Sequence, residues 1–544
     1  EVSLNQKQVD TLLYLIGHVA KGLARVTLKN DTELHKACDA VAVELTPVHM
    51  QPVWEWALDI LDNDFLALHF IWDAQCLFKY DGCGFEHFYN EPWTGDSWWV
   101  IQSSLPDVPN AVPFGLIVYA DKTKLSSFGT AKGYPIVVWC ANLPVDIWNS
   151  HAIGGGCVVP EDAEAEGKLG YTTLKCTVWN ESFSRLLGNI KQYSKTGYVH
   201  TLHHDQVTWW LFPVLLILST DYKEQKVSYL ISVLTLDLNI QHRCMMSLIH
   251  GCIGKCPCPV CLVPLEELHD ISRTYPMRSM EQAQHVLHIY RHNHSEGEKV
   301  LKVLGLWPVD NVFWLVCHSD LYCALSFDCL HFLHGGLWGK HILCDVLRIL
   351  NILGHSAETD VENYVANFLQ WQFLSHFKNI INVSFSDGNK MWDVAKVIFY
   401  ALLNVFTKTA TPEGYCLLHI LASYLQLDTL IGLDIHTKQT IGMINAELLE
   451  FGNALKDYVE CVNKSGLEGL QVDWDFPKVH LWKHVSCDIQ MKGAMRNYST
   501  CPNESMHGPI KEAYKDQSNG RNVATQILHV DEHKLTAKLL RMHV

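Results

Sequence analysis

At 544 residues the chain exceeds one compact core, and about 100–200 residues per domain predicts two to four units. Hydrophobic residues make up 48% and tryptophans number 18, which excludes disordered and collagen-like classes and leaves an aromatic-rich globular protein. A formal charge of −16 opposes general affinity for phosphate polymers, and the 19 cysteines, an odd number with no secretory leader, indicate free or metal-bound thiols in a reducing compartment rather than disulfides.

The chain opens Glu1-Val2-Ser3 without methionine or a basic-then-apolar leader, so it is expected to be a fragment. Residues 1–110 are expected to form an accessory region or linker. They combine helical spacing at Gln8, Leu12, Leu15, Ile16 and Val19 with a Trp-rich stretch, Glu91–Trp99. Pro113–Asp121 then reads as a buried strand that ends in a carboxylate, and Tyr134–Trp139 as a second short strand. Gly154–Gly156 and the acidic Pro160–Gly167 read as an exposed loop, and no Lys-Ser/Thr follows to make a phosphate-binding loop.

The longest apolar run, Trp209–Thr220, spans twelve residues against the roughly twenty that cross a bilayer, so it predicts a buried strand rather than a membrane span. It ends at Asp221, repeating the order of apolar strand followed by aspartate. From about Leu262 to Lys478 the pattern is mostly helical, as at Leu448, Phe451, Leu455, Tyr458, Val459 and Val462. Four segments follow: 1–110, a first core part 111–261, a helical insertion 262–475, and a core return 476–544. From Asp475 onward ten Lys/Arg stand against seven Asp/Glu, a weak basic excess.

Two aspartates at the ends of buried strands suit a divalent ion, because neighbouring strands run about 4.8 Å apart and carboxylate oxygens can share an ion across that gap. Glu504, on a helix-compatible segment with Lys511 two turns on, suits a third ligand. The commoner role for an aspartate after an apolar run is a turn or a helix cap. Cys258 and Cys261 form a C-x-x-C pair with Cys256 as a spare thiol, and His480 and His484 share a face if their segment is helical. Zinc takes such a Cys₂His₂ set, although a gap of 219 residues between the pairs is far longer than in an ordinary finger. Asp328, His331 and His334 form another polar cluster, for which hydrogen-bonded core residues are the preferred reading over a metal site.

Several ordered stretches carry a family resemblance: Tyr119–Tyr134 (YADKTKLSSFGTAKGY), Thr220–Gln225 (TDYKEQ), Cys256–Cys261 (CPCPVC) and Asn311–Trp314 (NVFW). Ala324–Asp328 (ALSFD), Pro477–His484 (PKVHLWKH), Arg496–Thr500 (RNYST) and Pro502–Gly508 (PNESMHG) continue it. Over about residues 90–544 the chain resembles the Plavaka transposases of fungal genomes, relatives of the Kyakuja-Dileera-Zisupton and CACTA-type groups of DDE transposases.

The resemblance implies an α/β fold, with an RNase H-like mixed-sheet catalytic core interrupted by a large, mostly α-helical insertion. It implies Asp121, Asp221 and Glu504 as ligands of catalytic Mg²⁺ or Mn²⁺, and structural Zn²⁺ at Cys258, Cys261, His480 and His484. The implied activity is cleavage and strand transfer at transposon ends, with transposon and target DNA as partners, a homodimer on DNA, nuclear localisation and no membrane association. The family's N-terminal zinc-finger region is not found in this sequence, and Tyr222-Lys-Glu stands where an acidic residue would follow the aromatic. A decayed or domesticated DNA- or protein-binding remnant is the alternative reading, and an unrelated helical interaction protein with incidental zinc is a third.

Overall fold

The structure, a computed structural model, describes residues 52–517 except 81, 121–122, 126–131, 149–156, 160–169, 220–245, 370 and 382–387, together with 523, 526, 527 and 530. The helical spacing of residues 8–19 and the glycine-rich and acidic loops at 154–156 and 160–167 lie outside these residues.

Helix α1 (Val53–Leu61) opens the described chain, and a hairpin of β1 (Leu77–Tyr80) and β2 (Phe85–Tyr89) follows. Helix α2 (Asp96–Ser104) leads into the main sheet, built from β3 (Ala111–Ala120), β4 (Thr123–Lys124), β5 (Lys132–Cys140) and β6 (Cys157–Val159). Helices α3 (Gly170–Leu187) and α4 (Ile190–Thr196) intervene before β7 (Tyr198–Thr201) and β8 (Thr208–Ser219) complete it. The order is β4-β5-β3-β8-β7, with β6 also on β5. Strand β3 is antiparallel to β5 and parallel to β8, which makes the sheet mixed.

All three strands expected from the sequence are present, and the reason is burial on both faces. From Val112 to Ala120 and from Leu211 to Ser219 every residue is buried, so both strands read as continuous apolar runs. Gly115 leaves room for Trp98 of α2, whose ring would lie 3.1 Å from an added Cβ. The Trp-rich stretch is thereby built into the core: Trp93 and Trp98 are buried, and Glu91 pairs with Arg496 at 2.8 Å.

Helices dominate the chain from residue 280 to 465. They are α5 (Met280–His292), α6 (His294–Leu304), a wide π-type helix (Cys329–Ile342), α7 (Leu343–Leu353), α8 (His355–Ala366), α9 (Gly388–Leu402) and α10 (Pro412–Ile431). A short β9 (His436–Thr437) pairs with β2 and opens α11 (Lys438–Ser465). A capping box at Thr437 and Thr440 starts α11, and Gly466 in the left-handed conformation (φ 68°) ends it. Leu448, Phe451, Leu455, Tyr458 and Val462 form its buried stripe, and Val459 packs against the core from its edge. No helix among the described residues is long and apolar enough to cross a membrane.

The chain then returns to the sheet through α12 (Pro477–Leu481), a 3-10 turn (Trp482–His484) and α13 (Val485–Lys492), and ends in α14 (Cys501–Gln517). Trp482, wholly buried, stacks on Phe451 at 5.3 Å and holds this return against α11. Lys492, only 1% exposed, donates to Asp488 at 2.6 Å and to the Leu325 carbonyl, while Asp488 accepts from the Phe327 amide. Leu325 bridges Leu218 of β8 in parallel, so this buried ion pair fastens α13 to the edge of the main sheet. Removing one partner of such a pair strands the other charge. Lys492→Met is therefore expected to cost about 3–5 kcal/mol in denaturant unfolding, by the penalty for a broken buried ion pair, and Lys492→Met/Asp488→Leu is expected to recover part of that loss.

Candidate metal centre and the return to the sheet

Cys258 and Cys261 sit on a tight loop, and His480 and His484 straddle the junction of α12 with the 3-10 turn. One ligand atom from each of the four residues lies within 4.8 Å of every other, and all four residues are buried. The Cys258 Sγ to His484 Nε2 distance is 3.4 Å and the Cys261 Sγ to His480 Nε2 distance is 3.1 Å. With Zn–S of about 2.3 Å and Zn–N of about 2.0–2.1 Å, a tetrahedron has an S···N edge of about 3.5 Å, so the cage needs only slight expansion to take the ion.

The loop is shaped to present thiolates. Amides of Val260 and Cys261 both donate to Cys258 Sγ at 3.4 Å, the turn geometry that a bound sulfur needs. Arg278, itself buried, donates to the carbonyls of Cys258, Leu304 and Cys256 and clamps the loop from behind. Burial opposes ionisation of Cys258, but its hydrogen bond with Cys261 and the charge of His484 outweigh this and draw its pKa well below the ordinary thiol value. Cys261, hydrogen-bonded to that thiolate, is pushed up, and burial lowers His480, which favours the neutral imidazole that a metal takes. The donor set, two sulfurs and two nitrogens in a closed and buried cage, fits zinc or a similar soft-to-borderline ion. Cys256 stays outside the cage, its thiol directed at the carbonyls of Leu262 and Val303.

The second cluster resolves as structural hydrogen bonding. Asp328, wholly buried, caps the π-type helix by accepting from the amides of Leu330 and His331, and it also accepts from Thr500 Oγ1 at 2.7 Å. Burial raises its pKa, but the charge of His331 and the hydrogen bonds from His331 and Thr500 outweigh that and hold it below the ordinary carboxylate value. His331 Nδ1 lies 2.6 Å from Asp328. His334 is elsewhere, bonded to the Tyr424 hydroxyl at 2.7 Å and stacked on Trp392, with burial pushing its pKa to about 3.

Asp121 and Asp221 lie outside the described residues, as does the side chain of Glu504. Their surroundings are described. Strand β3 ends at Ala120 and β8 at Ser219, and Tyr119 and Ser219 are register partners across the parallel pair. Ser219 Oγ donates to the Tyr498 carbonyl at 3.0 Å, and His507 of α14 lies 6.2 Å from the Tyr119 ring, centroid to centroid. Residue types alone do not single out Arg278 or the Asp488–Lys492 pair, because neither stands in a motif or a periodic pattern.

Residues 16–234 and 242–344 match the family model described as Plavaka transposase. No curated protein matches the chain. The matched residues include Cys258 and Cys261 and stop short of His480, His484 and Glu504; the fold brings the two histidines to the two cysteines.

Elemental analysis of purified protein is expected to give about one zinc per chain, the count for a single four-ligand site. Cys258→Ser/Cys261→Ser is expected to lose the ion and with it thermal stability, since binding to such a cage contributes directly to folding. Cys256→Ser should keep both, and full zinc in the double variant would show that the cage is not the site.

Proposed function

The chain belongs to the Plavaka transposase family, and from that premise we propose that it is a DDE-type catalytic region that cleaves and joins DNA at transposon ends with Asp121, Asp221 and Glu504. The observation that carries the proposal is the meeting of three chain segments at one edge of the sheet. The residue after β3 is Asp121, the second residue after β8 is Asp221, and these two strands are parallel neighbours in register at Tyr119 and Ser219. The helix that carries Glu504 starts three residues after Tyr498, whose carbonyl Ser219 binds, and His507, one turn beyond Glu504, packs on Tyr119.

An RNase H-like core is part of the same proposal. It is supported by a central β3 with an antiparallel neighbour β5 on one side and a parallel neighbour β8 on the other, and by the helical stretch between β8 and α14. The division at 110, 261 and 475, nuclear residence and a homodimer on DNA belong to this reading too.

Three carboxylates are hard oxygen donors of the kind that Mg²⁺ or Mn²⁺ takes, and Asp121, Asp221 and Glu504 would hold the ions. When bound, paired ions of this kind assist in-line phosphoryl displacement by stabilising charge on the attacking and leaving oxygens. The protein's own part is positional. Parallel strands lead into the two aspartates and α14 carries Glu504, and in-line displacement of this kind would need no covalent enzyme intermediate. The Cys₂His₂ cage, closed by four protein ligands, would act structurally by holding the two roots of the helical stretch together.

Glu504→Ala is expected to lower Mg²⁺- or Mn²⁺-dependent nicking of DNA by at least about a hundredfold, as loss of a transition-state interaction does, with zinc content and melting temperature kept. Undiminished nicking by this variant would remove Glu504 from the reaction. Absence of nicking by the unaltered chain would instead favour an inactive, DNA-binding remnant.

A further inference from the structure

The start of α14 is tied to the start of the π-type helix by a buried hydrogen bond. Thr500, the residue before α14, donates its hydroxyl to Asp328, the residue before the π-type helix, at 2.7 Å. Both sides of the tie are buried: Thr500 and Asp328 are 0% exposed. Asp328 already satisfies the helix amides of Leu330 and His331 and holds the His331 ring, so its position is overdetermined on the helical side. Lys478, two residues before the candidate ligand His480, donates to the His331 carbonyl at 2.8 Å and holds the same turn. A carboxylate with this many fixed donors leaves Thr500 a single low-energy position.

We propose that Asp328 is a positioning residue: its buried carboxylate fixes the first turn of α14, and through that turn sets where Glu504 stands at the ends of β3 and β8. This rests on the reading of Glu504 under Proposed function, but the fastening itself is a property of the helix start and can be measured without catalysis. One turn of helix separates Thr500 from Glu504, so freedom at residue 500 passes into the carboxylate's position with little damping. The helical stretch thereby contributes to the site even though none of its residues is among the three carboxylates.

Thr500→Val keeps the side-chain shape and removes the donor, and Thr500→Ser restores it. Amide hydrogen exchange measured by mass spectrometry on the zinc-loaded protein reads the fastening. Thr500→Val is expected to speed exchange over residues 501–508 by about tenfold, the effect of losing one hydrogen bond to a charged group, with exchange over 477–492 unchanged. Thr500→Ser is expected to return to the parental rate, and Asp328→Asn is expected to reproduce the local acceleration. Unchanged exchange in Thr500→Val, or acceleration spread evenly over the chain, would overturn the proposal. Metal-dependent nicking by the same proteins separates the two readings: local acceleration with no nicking by the parent keeps the fastening and rejects the catalytic role of Glu504, whereas nicking that Thr500→Val leaves at the parental level overturns the link from Asp328 to Glu504.

Discussion

The return of the chain to the main sheet depends on one closure: Cys258 and Cys261 meet His480 and His484 across a sequence separation of 219. Bringing ends that far apart together costs loop entropy that grows slowly with length, so a long insertion is tolerable provided something fixes its roots. Two thiols and two imidazoles buried without an ion would be a poor fixture, because each would lose solvation for a few weak contacts. With an ion of zinc's chemistry they would become a strong local constraint, since binding to such a cage contributes to folding.

From that closure the return to the sheet follows in short steps. The turn that carries His484 runs directly into α13, where Asp488 and Lys492 grip the Leu325–Phe327 segment beside β8. Next, Gly493 takes a φ of 82° and packs against Asn90 and Glu91, a place where an added Cβ would collide with backbone. Asn497 donates to the Asn90 carbonyl, Arg496 pairs with Glu91, and Tyr498 receives Ser219. By residue 500 the chain has no freedom left in which to miss the ends of β3 and β8.

Much of this was legible in the residues. Strands β3, β5 and β8 announce themselves because strands covered on both faces must be apolar throughout, and α11 because its buried stripe repeats at three and four. The metal cage was legible because ligand chemistry restricts residue type and spacing so sharply. The β1-β2-β9 sheet was not: Phe78, Tyr80 and Phe85 are exposed, so Leu77–Tyr80 shows no inward-facing alternation, and β9 has only two residues. The π-type helix was equally obscure as an element, since it is apolar on nearly all sides and presents no stripe. The partners of Asp328 and Lys492 were opaque for a general reason. A buried charge is defined by partners distant in sequence, here Thr500 at 172 residues and Leu325 at 167. The packing of the Trp-rich stretch was not legible, because tryptophans signal burial without saying against what, and here the stretch packs on β3 and α13.

The closure stands or falls with the identity of the atoms around its ion. X-ray absorption at the zinc edge of the purified protein measures them. A first shell of two sulfurs at about 2.3 Å and two nitrogens at about 2.0–2.1 Å is the result the geometry predicts. A shell of four sulfurs, or one of light atoms alone, would mean that the Cys pair and the His pair do not share an ion, and that the chain returns to the sheet by some other means.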